Sequence, residues 1–355
     1  MQIKFGKKII SKKSKTYFIA DIAANHDGKL SRAKKLIRLC AKAGADAAKF
    51  QHFKAETIVS DQGFKKLGKI THQKNWKDSV FETYQKASIN PNWTPILFEE
   101  CKKNKIDFLT SPYDLNYVDE VRKYIPAYKI GSGDITWKEI ITKISKKRKP
   151  VLLATGASNF DDVKKTVNQI LKYNKQVCVM QCNTNYTNSL KNFENINLNV
   201  LRSYKKFFKE KIILGLSDHT PGNVSVLGAV ALGAKIIEKH FTDDNDRYGP
   251  DHKFSMNFST WKEMVDQTRI LEKTMGDGIK KIEKNEKQSV IVQRRGAWLT
   301  KDVKKNENLT KDKIIFLRPC PRNSIDIFDI NKFIGRKFRY NMSKNSLITK
   351  KCLMK

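Results

Sequence analysis

No apolar run in the chain approaches the roughly 18 uninterrupted residues that a membrane-spanning helix needs. The basic N-terminus passes into a polar segment without a long apolar h-region, so no signal peptide is expected and the expected location is the cytoplasm. Cysteine is sparse. Cys40, Cys101, Cys178, Cys182, Cys320 and Cys352 form no CxxC pair, which counts against a disulfide framework and for reduced thiols. Cys178 and Cys182 lie at even spacing in one apolar run, as small core residues on one strand face. No GxGxxG follows the first apolar run, which counts against a dinucleotide-binding doubly wound sheet. Acidic residues are outnumbered, with 36 Asp and Glu against 70 Lys and Arg and a formal charge of +34. The lysines are spread along the chain, whereas a nucleic-acid footprint clusters. They therefore read as solvated faces, with no specific nucleic-acid partner and no membrane contact expected. An anionic substrate would still gain from the positive field.

What is present is a repeat. From about residue 16 to 275, a short apolar run, a polar turn and a longer amphipathic segment recur. The apolar runs are Tyr17–Ala23, Ala47–Gln51, Asp107–Pro112, Ala127–Ser132, Val151–Thr155, Val177–Cys182, Ile212–Ser217 and Lys235–Phe241. Their near-continuous apolar character fits strands buried on both faces. Between them, Leu30–Ala43, Trp93–Asn104, Asp161–Tyr173 and Val224–Leu232 carry helical patterns. This alternation predicts a (β/α)8 barrel spanning residues 1–278. Gly276-Asp277-Gly278 stops the last helix, the charged stretch 279–289 reads as a linker, and residues 290–355 form a small second module.

Barrel enzymes carry their working groups at the C-terminal strand ends. Here the polar residues fall there: Asn25 and His26, Gln51 and His52, Ser111, Ser132 and Asp134, Thr155, Asn183 and Tyr186, Ser217-Asp218-His219, and His240. His219 and His240 top neighbouring strands, roughly 4.8 Å apart, where two imidazoles can share one divalent ion and leave positions for water and a carbonyl oxygen. Mn²⁺ is the expected ion, with Mg²⁺, Co²⁺ or Zn²⁺ as alternatives; two unrelated hydrogen-bonded histidines are the plainer reading. Four of the six histidines sit at strand tops, which favours function. Lys49 and Lys129 lie inside apolar strands, where an unpaired charge is costly. They either pair with Asp21 and Glu238 or hold an anionic substrate, helped by backbone N–H groups at Gly131-Ser132-Gly133. The acidic segment Asp243–Asp251 reads either as a solvated loop or as a mobile lip whose carboxylates hold sugar hydroxyls or support the metal site.

Several segments occur in an order that resembles the sialic acid synthase family, with its legionaminic and pseudaminic acid relatives. They are Ala20–His26 (ADIAANH), Lys49-Phe50-Gln51, Thr110–Tyr113 (TSPY), Tyr128–Asp134 (YKIGSGD), Gly215–Thr220 (GLSDHT), Leu227–Gly233 (LGAVALG), Glu238–Thr242 (EKHFT), Arg247–Asp251 (RYGPD) and Phe254–Asn257 (FSMN). The tail, with Leu317-Arg318-Pro319, resembles the antifreeze-like (SAF) module of those enzymes. The resemblance implies a cytoplasmic synthase that condenses phosphoenolpyruvate with an N-acyl amino-sugar aldehyde, N-acetylmannosamine or a diacetamido-trideoxyhexose. It implies that His219 and His240 bind the metal and that Lys49, Ser111, Lys129, Ser132 and Ser217 hold phosphoenolpyruvate. Asp21 and Asp134 join the lysines as catalytic groups, Tyr186 and Asp251 orient the sugar, and Gln51 and Asn183 bind substrate. Arg318 would reach a neighbouring protomer's barrel in a domain-swapped homodimer. The chain departs from the family in having Asp where Glu is usual at 21 and 134, Thr184 in place of Asn, and Ala154 in place of Ser. The shorter carboxylates require acid–base contacts to be rebuilt or supplied through water, and Asn183 stands in for the missing Asn. The alternatives are a phosphoenolpyruvate synthase acting on another aldose and a non-catalytic anion- or sugar-binding barrel.

Overall fold

The computed structural model describes residues 1–70, 73–74 and 76–354. Two compact units, Met1–Gly276 and Asp277–Lys355, make up the chain. A hairpin of β1 (Gln2–Phe5) and β2 (Lys8–Ser11) opens the first unit. Then come β3 (Tyr17–Asp21), β4 (Ala47–His52), β5 (Asp107–Pro112), β6 (Tyr128–Ile130), β7 (Val151–Ala154), β8 (Val177–Cys182), β9 (Ile213–Asp218) and β10 (Ile236–His240). These eight pair in the order β5-β4-β3-β10-β9-β8-β7-β6, every paired neighbour parallel, with β5 and β6 side by side at the remaining seam. With a helix after each strand, this is the nearly closed (β/α)8 barrel that the repeat predicts.

Alternation along each strand divides its residues between two cores. Phe18, Ala20, Ala48, Phe50, Phe108, Leu153, Val179, Leu216 and Ile237 face outward and join one cluster with the helices, for example with Leu36, Leu97, Val167 and Trp261. The residues between them face inward and form a second cluster at the strands' N-terminal ends: Tyr17, Ile19, Ala47, Leu109, Ala127, Leu152, Cys178, Met180, Ile213 and Ile236. Ile3, Phe5 and Ile10 of the hairpin belong to this inner cluster, so the hairpin plugs the barrel floor. Further up six of the strands the inward positions turn polar, with Asp21, Lys49 and Gln51, Ser111, Lys129, Ser217, Glu238 and His240, while β7 and β8 keep Ala154 and Cys182 there. The floor supplies stability, and the upper half carries the chemistry. All six cysteines are free, and Cys178 and Cys182 are both buried.

In the second unit β11 (Gly296–Leu299) and β12 (Ile314–Leu317) pair antiparallel over a small core that includes Leu299, Ile325, Phe338 and Ile348. The stretch expected to be a linker is more ordered than its charge suggests. Glu286 caps the backbone N–H of Glu283, and a helix runs over Lys287–Gln293.

Candidate active site

The inner ring of polar residues begins with four buried charges. Asp21, Lys49, Lys129 and Glu238 are each at most 4% exposed. Lys49 pairs with Asp21, Lys129 pairs with Glu238, and the Lys49 ammonium also lies 3.8 Å from Glu238. Burial alone would raise the pKa of Glu238, but Lys129 and Lys49 hold it at about 2. Burial lowers the pKa of Lys49, and the charges of Asp21 and Glu238 more than reverse this, leaving it above its ordinary value. Gln51 donates to Asp21 at 3.2 Å and Ser217 to Glu238 at 3.3 Å. The pairing anticipated for the two lysines is therefore present, and it arms both cations at the barrel axis. Ser111 projects into the same layer, and its buried hydroxyl has no partner.

His219 and His240 lie above this layer with ring centroids 5.4 Å apart. Burial, with the charge of His240 for His219 and of Lys49 for His240, depresses both pKa values to about 3. Neutral imidazoles keep a lone pair for a cation. The Asn183 carbonyl accepts a hydrogen bond from Nδ1 of His219 at 2.8 Å, which leaves Nε2 as that ring's free donor atom. In His240 the buried Nδ1 has no partner. Among the described residues no group of three or more His, Cys, Asp or Glu gathers as a metal cage. Two neutral imidazoles with an orphaned nitrogen fit a divalent ion whose other positions are left to water and substrate.

A cavity of about 360 Å³ opens at the barrel mouth. Gln51, Ser132, Asp134, Tyr186, His240 and Asp251 line it, together with an aromatic wall that includes Phe53, Trp76, Tyr84 and Tyr113. Burial raises both Asp134 and Asp251 to about 6. The backbone N–H of Ala24 fixes the Asp251 carboxylate at 3.0 Å. Gly131 is required here because a Cβ at that position would stand 2.7 Å from the Tyr113 hydroxyl. Phe254 packs against both imidazoles, with centroids 6.0 and 4.8 Å away.

The structure gathers Asp21, Lys49, Gln51, Ser111, Lys129, Ser132, Asp134, Tyr186, Ser217, His219, His240 and Asp251 at one end of the barrel. Asn183 differs from its expected placement. Its amide donates to the Asn195 carbonyl and its side-chain oxygen accepts from Asn185 N–H, so it lines a neighbouring cavity instead. What reaches the site is its backbone carbonyl, through His219. His26 and His52, the other two strand-top histidines, are occupied by structural contacts. His52 follows inward-facing Gln51, and Thr110 and Thr94 bind its two ring nitrogens at 2.8 and 2.7 Å. His26 packs edge-on against Trp93 and accepts from Gly28 N–H. The acidic lip is also committed: Asp243 pairs with Arg32, Lys35 and Arg247, leaving Asp251 as the acid of that segment in the cavity lining. Arg318 is exposed on the second unit, just before a cis Pro319. The aromatic wall carries no sequence signal: Phe53, Trp76 and Tyr84 are spread along the connection from β4 to β5, Tyr113 follows β5, and none has a charge to mark it.

Comparison with known proteins decides the family. The sequence model of the NeuB family matches residues 36–280, and that of the SAF domain matches residues 294–354. The chain belongs to the NeuB family. N,N'-diacetyllegionaminic acid synthase of Campylobacter jejuni is 36% identical over 94% of this NeuB-family chain and 99% of its own length. Pseudaminic acid synthase of the same organism is 33% identical, over 86% of this chain and 88% of its own. The solved structure of the spore coat polysaccharide biosynthesis protein SpsE of Bacillus subtilis aligns over 100% of this chain and 99% of that one, with a TM-score of 0.65 at 27% identity. A putative spore coat polysaccharide biosynthesis protein E from Chromobacterium violaceum shares the fold, with a TM-score of 0.76 at 23% identity. This NeuB-family protein is thus an enzyme of the phosphoenolpyruvate-dependent nonulosonic acid synthase class. Among the described residues no helix is long and apolar enough to cross a membrane.

Proposed function

We propose that this enzyme condenses phosphoenolpyruvate with an N-acyl amino-sugar aldehyde, N-acetylmannosamine or a diacetamido-trideoxyhexose, and releases inorganic phosphate. One observation carries the proposal: two neutral imidazoles and two paired lysines converge with an unpartnered serine beneath one cavity. The barrel, residues 1–278, is the catalytic domain; residues 279–289 link it to the SAF module, residues 290–355. Lys49 and Lys129 hold the phosphate and carboxylate of phosphoenolpyruvate, with hydroxyls from Ser111, Ser132 and Ser217. C3 of phosphoenolpyruvate bonds to the aldehyde carbon, water adds at C2, and the C2–O bond to phosphate breaks. The water supplies both protons, one to the former aldehyde oxygen and one to the departing phosphate. Asp134, held at about 6 by burial, exchanges the first of these in the cavity. Asp21 keeps Lys49 charged and in place. Gln51, Tyr186 and Asp251 orient the sugar from the cavity wall.

His219 and His240 are the residues that would hold the metal, Mn²⁺ being our choice over Mg²⁺ or Co²⁺. When bound, such an ion supplies Lewis-acid polarisation of the aldehyde oxygen. The cytoplasm is the proposed location. In a domain-swapped homodimer, Arg318 meets the sugar's N-acyl group in the partner copy's barrel. Arg318→Ala is then expected to raise the sugar KM about tenfold without changing the melting temperature; unchanged kinetics would remove this role.

The functional test is phosphate release from phosphoenolpyruvate with Mn²⁺ and a panel of aldoses that includes N-acetylmannosamine and the diacetamido-trideoxyhexoses. Release that requires both sugar and metal supports the synthase. Release with a phosphorylated pentose or tetrose alone would reassign the substrate. The unpartnered hydroxyl makes a further expectation specific. Ser111→Ala leaves stability unchanged, because no hydrogen bond is lost, yet weakens phosphoenolpyruvate binding by about 10-fold, the effect of one hydrogen bond to a charged group. Steady-state KM with a thermal melt checks it, and an unchanged KM would place the anion elsewhere.

A further inference from the structure

A third ionic cluster lies on the other side of the same strands. Asp218 and Lys239 are register partners on β9 and β10, and their side chains point away from the barrel axis, opposite to Ser217 and Glu238. Both are buried, with side chains 0% and 2% exposed, and they pair directly. The Lys239 ammonium also donates to the Thr220 carbonyl. Thr220 Oγ1 donates to Asp218 at 3.0 and 2.8 Å, and Ser225 Oγ donates to Asp218 at 2.6 Å from the helix Val224–Ala231. One ammonium thus grips the chain on both sides of His219, through Asp218 before it and Thr220 after it. The residue that carries this ammonium immediately precedes His240.

Stability alone gives a poor account of such a pair. Burying two charges costs desolvation, and replacing a buried ion pair with apolar side chains of similar volume is often neutral or stabilising. What the pair provides is direction: it fixes where the tops of two adjacent strands stand relative to each other. We infer that Asp218 and Lys239 are positioning residues that lock the tops of β9 and β10 so that His219 and His240 converge on one divalent cation. The inference rests on the reading of those two histidines as metal ligands. Neither residue touches substrate; both act through the imidazoles beside them. Groups behind metal ligands set affinity through ligand orientation, and their loss typically weakens binding 10–100-fold.

The test measures Mn²⁺ affinity by calorimetry on the full chain without substrates, alongside the melting temperature. The variants are Asp218→Leu/Lys239→Met together, Ser225→Ala, and His219→Ala as a control. The double variant is expected to bind Mn²⁺ about 10–100-fold more weakly, while its melting temperature falls only as far as the Thr220 carbonyl, left without its donor, requires. Ser225→Ala removes one bond to Asp218 and is expected to weaken Mn²⁺ binding by less than the double variant does. Where the double variant does not fold, Ser225→Ala decides: weaker binding supports the inference and unchanged binding overturns it. A lowered melting temperature with unchanged affinity also overturns it, since the pair would then serve the fold alone. Should the parent and His219→Ala bind Mn²⁺ equally, the metal-ligand reading itself fails.

Discussion

His219→Ala should fold and yet lose at least about 10³-fold in kcat, with metal-dependent phosphate release abolished. The magnitude follows from the several kcal/mol that Lewis-acid polarisation contributes to the transition state, at 1.36 kcal/mol per tenfold in rate. The fold survives because the ring is held neutral, and its removal leaves only the Asn183 carbonyl without its donor. An unmet buried acceptor costs about 1–3 kcal/mol, less than the stability of a typical domain. His52→Ala makes the opposite prediction. It leaves Thr94 and Thr110 without the imidazole that joins them, so it should lower the melting temperature while the remaining folded enzyme keeps its rate. Steady-state rates normalised to folded protein distinguish the two. A His219→Ala enzyme with more than a tenth of parental activity would end the ligand assignment.

The second large effect concerns the four charges below. Lys49→Met leaves the buried Asp21 carboxylate without its ammonium, and breaking a buried pair from one side costs about 3–5 kcal/mol. Asp21→Asn combined with Lys49→Met removes the stranded charge and should recover most of that loss. Neither variant should turn over, because the anion has lost one of its two cations. Urea unfolding of the barrel measures the first claim and phosphate release the second. A loss below about 1 kcal/mol in Lys49→Met would mean that Asp21 takes up a proton or turns to Lys129, and that the four charges are not one coupled unit.

Much of this was legible before any coordinates. All eight barrel strands coincide with apolar runs, because strands covered on both faces cannot hide their composition. The paired charges were one of two readings open to Lys49 and Lys129, since a lysine within an apolar strand needs either a partner or a bound anion. Other parts were hidden for identifiable reasons. The hairpin β1–β2 spreads Ile3, Phe5 and Ile10 among lysines, so its apolar face is too sparse to register as a strand. His52 was misread through proximity: one position beyond Gln51 on a strand, it must face the helices. For Asn183 the side chain was credited with what the backbone does, and no pattern of residue types separates those two. The aromatic wall of Phe53, Trp76, Tyr84 and Tyr113 is assembled by tertiary packing from the β4–β5 connection and the end of β5, which no local pattern marks.

The hairpin that seals the barrel floor also bears on how such an enzyme can diversify. The anchoring apolar layer lies at one end of the barrel and the cavity wall at the other, so a substitution in one does not touch the other. On the proposed function, the β4–β5 connection carrying Phe53, Ile58, Trp76, Tyr84 and Ala87 could exchange residues, and with them the accepted sugar, without touching Ile3, Phe5 or Ile10. The ionic layer between them is less free to change, because Lys49 and Glu238 each serve two partners and a charge altered there is felt by the others. A lineage built this way would keep one reaction while its substrates multiply.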